Sequence, residues 1–147
     1  RPMAAFDGKI YEGNLVIGVV TAVDYTLSRN RSLNPVVGSK FSPSVFEGTA
    51  RINGTLSAYF ENTTMFNKFV NETESSVHLF LPDPTSPTTS FISIYFPRVK
   101  YNGASMDPPQ EGPIVQEMPF RALKASTLNA PGGTKVNTNL YIQRSNF

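Results

Sequence analysis

The 147-residue chain contains no cysteine and no tryptophan, and its one histidine is His78. The missing thiols exclude a disulfide scaffold, a thiolate metal site and cysteine catalysis. A single histidine excludes a site built from several imidazoles. Charge is scarce too, at 16% of residues, thirteen basic against eleven acidic, for a net charge of +2. That composition excludes a charged disordered tail and a coiled coil. The basic residues are scattered. The closest pairs, Arg29/Arg31 and Arg98/Lys100, are two apart and would share a strand face. Duplex binding needs several cations clustered on one surface, so solvated faces or subunit contacts are the expectation. The apolar run Leu15 to Val23 is too short to span a membrane.

What is present is eleven Phe, six Tyr, twelve Pro and ten Gly, with Ser, Thr and Asn throughout. This is the composition of a β-rich domain with many turns. The length fits a single domain over residues 1–147, burying roughly 70% of its unfolded surface. The run Leu15 to Val23 imitates the apolar core of a signal peptide, with Val20-Thr21-Ala22 as a cleavage site. Asp7 and Glu12 sit where a leader would be basic, so the run is read as a buried strand. The first residue is Arg1 rather than Met, which suggests a processed product or part of a longer polypeptide.

Along the chain, Leu15 to Leu27 is a β-branched run with Gly18 as a candidate bulge. Ser28 to Glu47 is polar, broken by Pro35, Gly38 and Pro43, and carries two small apolar clusters, Val36/Val37 and Val45/Phe46. A loop of that length in a compact domain tends to be functional. Thr49 to Phe60 alternates: Ile52, Leu56, Ala58 and Phe60 face one way, with Gly54 in the gap, and Arg51, Asn53, Thr55, Ser57 and Tyr59 face the other. That period marks a half-buried strand. Asn62 suggests a helix N-cap, with Met65, Phe66, Phe69 and Val70 at helical spacing over Thr63 to Val70. Strands are predicted at Val77 to Leu81, Phe91 to Lys100, Ile114 to Lys124 and, closing the domain, Lys135 to Arg144. Pro97 implies an edge or a bulge, and Pro119 interrupts its strand similarly. Pro82 to Pro87 and Pro131-Gly132-Gly133 read as turns.

Catalytic signatures are missing. There is no glycine-rich phosphate loop, nucleophile elbow or metal-ligand cluster. A serine triad would have to recruit His78, which reads as an ordinary strand histidine between Val77 and Leu79. The pairs Glu72/Glu74 and Glu111/Glu117 are better explained as solvated loop charges than as carboxylate catalysis. No cofactor, metal or small-molecule ligand is expected. Four Asn-x-Ser/Thr sequons, at Asn30, Asn53, Asn62 and Asn71, leave a secreted glycoprotein as a rival to test.

A family resemblance is carried by short words in a fixed order. The first is Gly48-Thr49-Ala50-Arg51-Ile52-Asn53-Gly54-Thr55-Leu56-Ser57-Ala58-Tyr59-Phe60-Glu61, running on through Met65-Phe66-Asn67-Lys68-Phe69-Val70. Then come Phe96-Pro97-Arg98-Val99-Lys100-Tyr101 and Glu111-Gly112-Pro113-Ile114-Val115-Gln116-Glu117-Met118-Pro119-Phe120-Arg121-Ala122-Leu123. This order resembles the tail tube proteins of long-tailed bacteriophages, over roughly Val37 to Arg144. The first 35 residues match weakly, and Arg51 departs from a wall that must not hold DNA.

The resemblance implies a mainly β fold: a sandwich or barrel of two packed sheets, one short flanking helix and a long extended loop. It implies rings of identical subunits, stacked into a hollow tube that conducts the genome, with no catalytic residue. On the alternating strand, Arg51, Asn53, Thr55, Ser57 and Tyr59 would then face the lumen. Asn34, Pro35, Val36, Val37, Lys40, Phe41, Val45 and Phe46 would form an inter-ring loop. Tape measure, tail terminator and baseplate proteins would be partners, genomic DNA a transient passenger, and the virion tail, assembled in the bacterial cytoplasm, the location. Alternatives are a β-sandwich receptor-binding or adhesion module, and a terminator or baseplate hub of related fold.

Overall fold

The computed structural model describes residues 8–13, 15–17, 20–33, 35–39, 41, 44–83, 90–107, 111–125, 128–129 and 135–145. In chain order the elements are β1 (Lys9–Glu12), β2 (Leu15–Val16), β3 (Val20–Ser28), β4 (Ser32–Leu33), β5 (Val45–Phe46), β6 (Arg51–Tyr59), α1 (Thr64–Val70), β7 (Ser75–Pro82), β8 (Phe91–Tyr101), β9 (Ser105–Asp107), β10 (Val115–Ala122), β11 (Leu128–Asn129), β12 (Lys135–Val136) and β13 (Tyr141–Arg144). The predicted mainly β fold with a short helix is therefore observed.

Nine strands form one antiparallel sheet in the order β2-β1-β7-β8-β10-β6-β3, with β13 also pairing β8 and β9 also pairing β10. The sheet is strongly curled. Tyr25 of β3 meets Phe96 of β8 edge to face, with ring centroids 5.3 Å apart. Three strand spacings in a flat sheet would separate those strands by about 14 Å. The connection from Val16 to Val20 likewise spans at most about 14 Å, yet joins opposite ends of the sheet order. Inside the curl, Ile52, Leu56, Val77, Phe96, Val99, Tyr101, Met118, Phe120 and Ala122 form the core.

The alternation of β6 is observed: Ile52, Leu56 and Ala58 are buried, while Arg51, Asn53 and Tyr59 are exposed. Pro97 sits in a bulge, since Ser75 pairs with Val99 but Val77 with Phe96. Pro119 falls between the stretches of β10 that pair with β9 (residues 115–117) and with β8 (residues 120–122). The carbonyl of Pro119 accepts from Asn102 N on that side. A strand residue points its N–H and C=O the same way, so the missing donor faces the interval between two partners.

Several expectations are corrected. The run Leu15 to Val23 is not a buried strand. Leu15 and Val16 are exposed, and β3 has no fully buried residue, because β2 and β3 are the two ends of the sheet and, among the described residues, each pairs on one side alone. The bulge in this region falls at Thr21, between the Val20–Ala58 and Ala22–Ser57 pairs; Gly18 lies outside the described residues. Ser28 to Glu47 is a hairpin rather than a plain loop, β4 pairing β5 antiparallel. The helix N-cap is Thr63, one residue later than expected. Asn62 nevertheless accepts a bond from Thr64 N at 2.9 Å. The closing strand is split: β12 pairs β11 and β13 pairs β8. Between them Thr138 Oγ1 accepts from Leu140 N and donates to Leu140 O, a local turn that breaks the ladder. The predicted turns at residues 84–87 and 131–133 lie outside the described residues.

Candidate functional site

The five polar residues of β6 share one face of the sheet. Register extends that face to both neighbours: Thr26 and Arg121 stand opposite Asn53, Asp24 and Pro119 opposite Thr55, and Ala22 and Glu117 opposite Ser57. The result is a mixed wall in which neutral groups predominate. Sequence reasoning found the β6 residues through their period of two. It missed Asp24, Thr26, Glu117 and Arg121, because which residues stand side by side is decided by strand register.

The β4–β5 hairpin continues the β3–β6 pair beyond the sheet as an arm. Its apolar side chains, Leu33, Val36, Val37, Phe41, Val45 and Phe46, are all exposed, Val37 completely. Pro35 is exposed with them. Of the expected loop residues, the structure thus brings Pro35, Val36, Val37, Phe41, Val45 and Phe46 onto one exposed arm. Asn34 and Lys40 lie outside the described residues. At the arm's base, Asn30 adopts a left-handed φ of 44°, and its amide nitrogen donates to Thr49 O at 3.2 Å. A β-carbon at Gly48 would come 2.3 Å from the Asn30 carbonyl oxygen, so this close approach requires glycine. Arg31 and Glu47 close the base with an exposed ion pair at 3.4 Å.

Among the described residues, both ends of the sheet are open. Between them runs an apolar groove of about 340 Å³ lined by Ile10, Ile17, Val20, Val23, Leu79 and Leu81. The helix braces the sheet's other flank. Met65 and Phe69 pack on the core, and Lys68 forms an ion pair with the buried carboxylate of Glu12. The Tyr101 hydroxyl donates to the second Glu12 oxygen at 3.3 Å. Burial, and then the Glu12 charge, push the Tyr101 phenol far above its ordinary range.

His78, Glu72 and Glu74 are engaged in local contacts. His78 is hydrogen-bonded to Ser93 Oγ through Nε2 at 2.7 Å and stacks on Tyr11. Burial lowers its pKa. Glu74 takes a two-pronged bond from Arg98, at 2.5 and 2.6 Å, and Glu72 pairs with Lys100 at 2.6 Å. Those hydrogen bonds lower both carboxyl pKa values. Among the described residues there is no cluster of three metal-ligating side chains. What the surface offers chemically is open strand edges and an apolar arm, which suit association.

A family model described as phage tail tube protein matches residues 1–122. No curated protein sequence matches the chain. Among solved structures, the chain is similar to one in the sheath/tube terminator of an extracellular contractile injection system, PVC, in its extended state. The TM-score is 0.70 at 11% identity, over 97% of each chain. It is similar to the SPP1 tail tube at a TM-score of 0.63 and 7% identity, over 82% of this chain and 75% of that one. It is also similar to a chain of the anti-feeding prophage cap, at 0.63 and 12%, over 99% and 93%. At such identities these likenesses establish a shared fold.

Proposed function

We propose, for a chain that belongs to the phage tail tube protein family and so is a structural subunit of the tail tube, a specific way of building that tube. Identical copies join side by side into rings through the open edges at β2 and β3. A closed ring needs a heterologous contact between two different patches, and unpaired strands at opposite ends of one sheet supply it. The observation that carries this is the exposure of β3. Among the described residues, a nine-residue strand containing Val20, Val23, Tyr25 and Leu27 pairs on one side alone, and it buries none of them fully.

In this arrangement residues 1–147 act as one domain. The wall of Arg51, Asn53, Thr55, Ser57 and Tyr59 lines the bore. Largely neutral polar side chains wet it without gripping phosphates, and genomic DNA slides through. The arm, with Pro35, Val36, Val37, Phe41, Val45 and Phe46 and the neighbouring Asn34 and Lys40, stacks one ring on the next. Burying each such Val, Leu or Phe side chain returns about 1.5–3 kcal/mol before the cost of ordering the arm. The tube performs no catalysis. Its partners are tape measure, terminator and baseplate proteins, and it assembles in the bacterial cytoplasm.

Cryo-EM of the purified protein at high concentration tests this. Hollow tubes with the β6 polar face on the bore are expected, and a monodisperse monomer would overturn it. A second reading, a ring-forming terminator, is favoured by the likeness to chains in terminator and cap assemblies. Single closed rings that never stack would support that reading instead.

A further inference from the structure

The arm and one cleft of the protomer lie at opposite ends of the same strand. The arm springs from the Arg51 end of β6. The cleft, of about 300 Å³, opens beside the Tyr59 end, between α1 and β2. The nine residues of β6 set the two about 27 Å apart. Two unlike patches at opposite ends of a molecule associate head to tail, and such contacts propagate without closing.

The cleft is built to receive a chain segment. Leu15, Val16, Tyr59 and Met65 line it, and the first three are exposed. Gln116 lines it too and is 3% exposed, yet its Nε2 has no acceptor among the described residues. A buried amide donor left unpaired costs about 1–3 kcal/mol. Core strands elsewhere in this protein leave no other such side-chain atom among the described residues. A backbone carbonyl of an inserted segment would accept from it.

Charge sorts the same two ends. Near the arm, Arg29, Arg51, Arg121 and Lys124 have no ion pair among the described residues. Near the cleft, Glu61, Glu111 and Glu117 have none either. One pole is therefore basic and the other acidic, which steers a second copy into head-to-tail register and opposes the reverse docking.

We propose that the arm of one copy seats its apolar tip in the α1/β2 cleft of a second copy stacked upon it, the basic pole of the first meeting the acidic pole of the second. This rests on the tube reading above and names the receptor of the arm.

The absence of native cysteine gives a direct test. A chain carrying both Leu15→Cys and Phe41→Cys is assembled in reductant, then oxidised. A ladder of covalent oligomers on a non-reducing gel is expected, with chains bearing either cysteine alone giving no ladder. Tubes that form normally but yield no ladder would overturn the cleft assignment and leave the tube reading standing. Wild-type protein that forms no tubes would overturn both.

A charge exchange covers the case in which the cysteines themselves block assembly. Glu61→Lys with Glu111→Lys makes both poles basic, and Arg29→Glu with Arg121→Glu and Lys124→Glu makes both acidic. Each is expected to raise the concentration needed for stacking at least about tenfold, because like poles then meet. Mixing the two, or combining all five changes in one chain, restores tubes. Stacking of either single-pole variant at the wild-type concentration, or no recovery in the combinations, would overturn the proposal.

Discussion

The ring of Phe120 occupies the space where Gly54 has no side chain. A β-carbon at residue 54 would lie 2.5 Å from Phe120 Cζ and 2.4 Å from the Asp24 carbonyl oxygen. The two residues are registered partners on β6 and β10, and Phe120 meets Phe96 edge to face at 5.7 Å. The glycine thus lets two aromatic rings fill the centre of the curl. Gly54→Ala is expected to cost about 1–3 kcal/mol by overpacking, measured by urea unfolding of the monomer. An unchanged midpoint would show that the ring moves aside freely.

The Glu12 carboxylate is held in the interior by Lys68 and Tyr101. Lys68→Met keeps the stem's packing but removes the charge, leaving the acid with the phenol alone. Removing one partner of a buried pair strands the other, at about 3 kcal/mol. Thermal unfolding checks this, and Glu12→Gln combined with Lys68→Met should recover part of the loss.

Burial lowers the pKa of His78, so the unfolded chain binds a proton more readily than the folded one. The stability this residue contributes is complete above its ordinary value of 6.5 and is lost as pH falls from there through the folded value. Melting temperature should drop between pH 7 and pH 5. In His78→Phe that drop should flatten, whatever the absolute stability. Glu72 and Glu74, lowered from 4.5, act below this window.

Deleting residues 35–43 removes the tip of the arm, whose described residues are all exposed. The variant is expected to melt within about 2 °C of the parent, as surface changes do, yet to form no tubes. Circular dichroism and negative-stain microscopy read the two halves separately. Normal tubes from this variant would remove the arm from stacking.

Strand β6 was legible from sequence because one of its faces meets a core and the other does not, so Ile52, Leu56 and Ala58 stand out by spacing alone. The same logic misplaced β3. Its valines and Leu27 have the composition of an interior strand, but the protomer leaves them on an edge, and composition does not distinguish a core from a surface awaiting another copy. The split of the closing strand was hidden in one hydroxyl, that of Thr138, which turns the chain locally. The Glu12 cluster could not be read at all. Its partners lie 56 and 89 positions away in sequence, and only the finished topology brings them together.

Strand β8 pairs with β7 along one edge and shares its other edge between β10 and β13. Residues 92–95 therefore stay open on that edge until Tyr141–Arg144 arrive. A chain cut before residue 141 would lose this strand, and the backbone groups of residues 92–95 on that edge would lack the partners they have here.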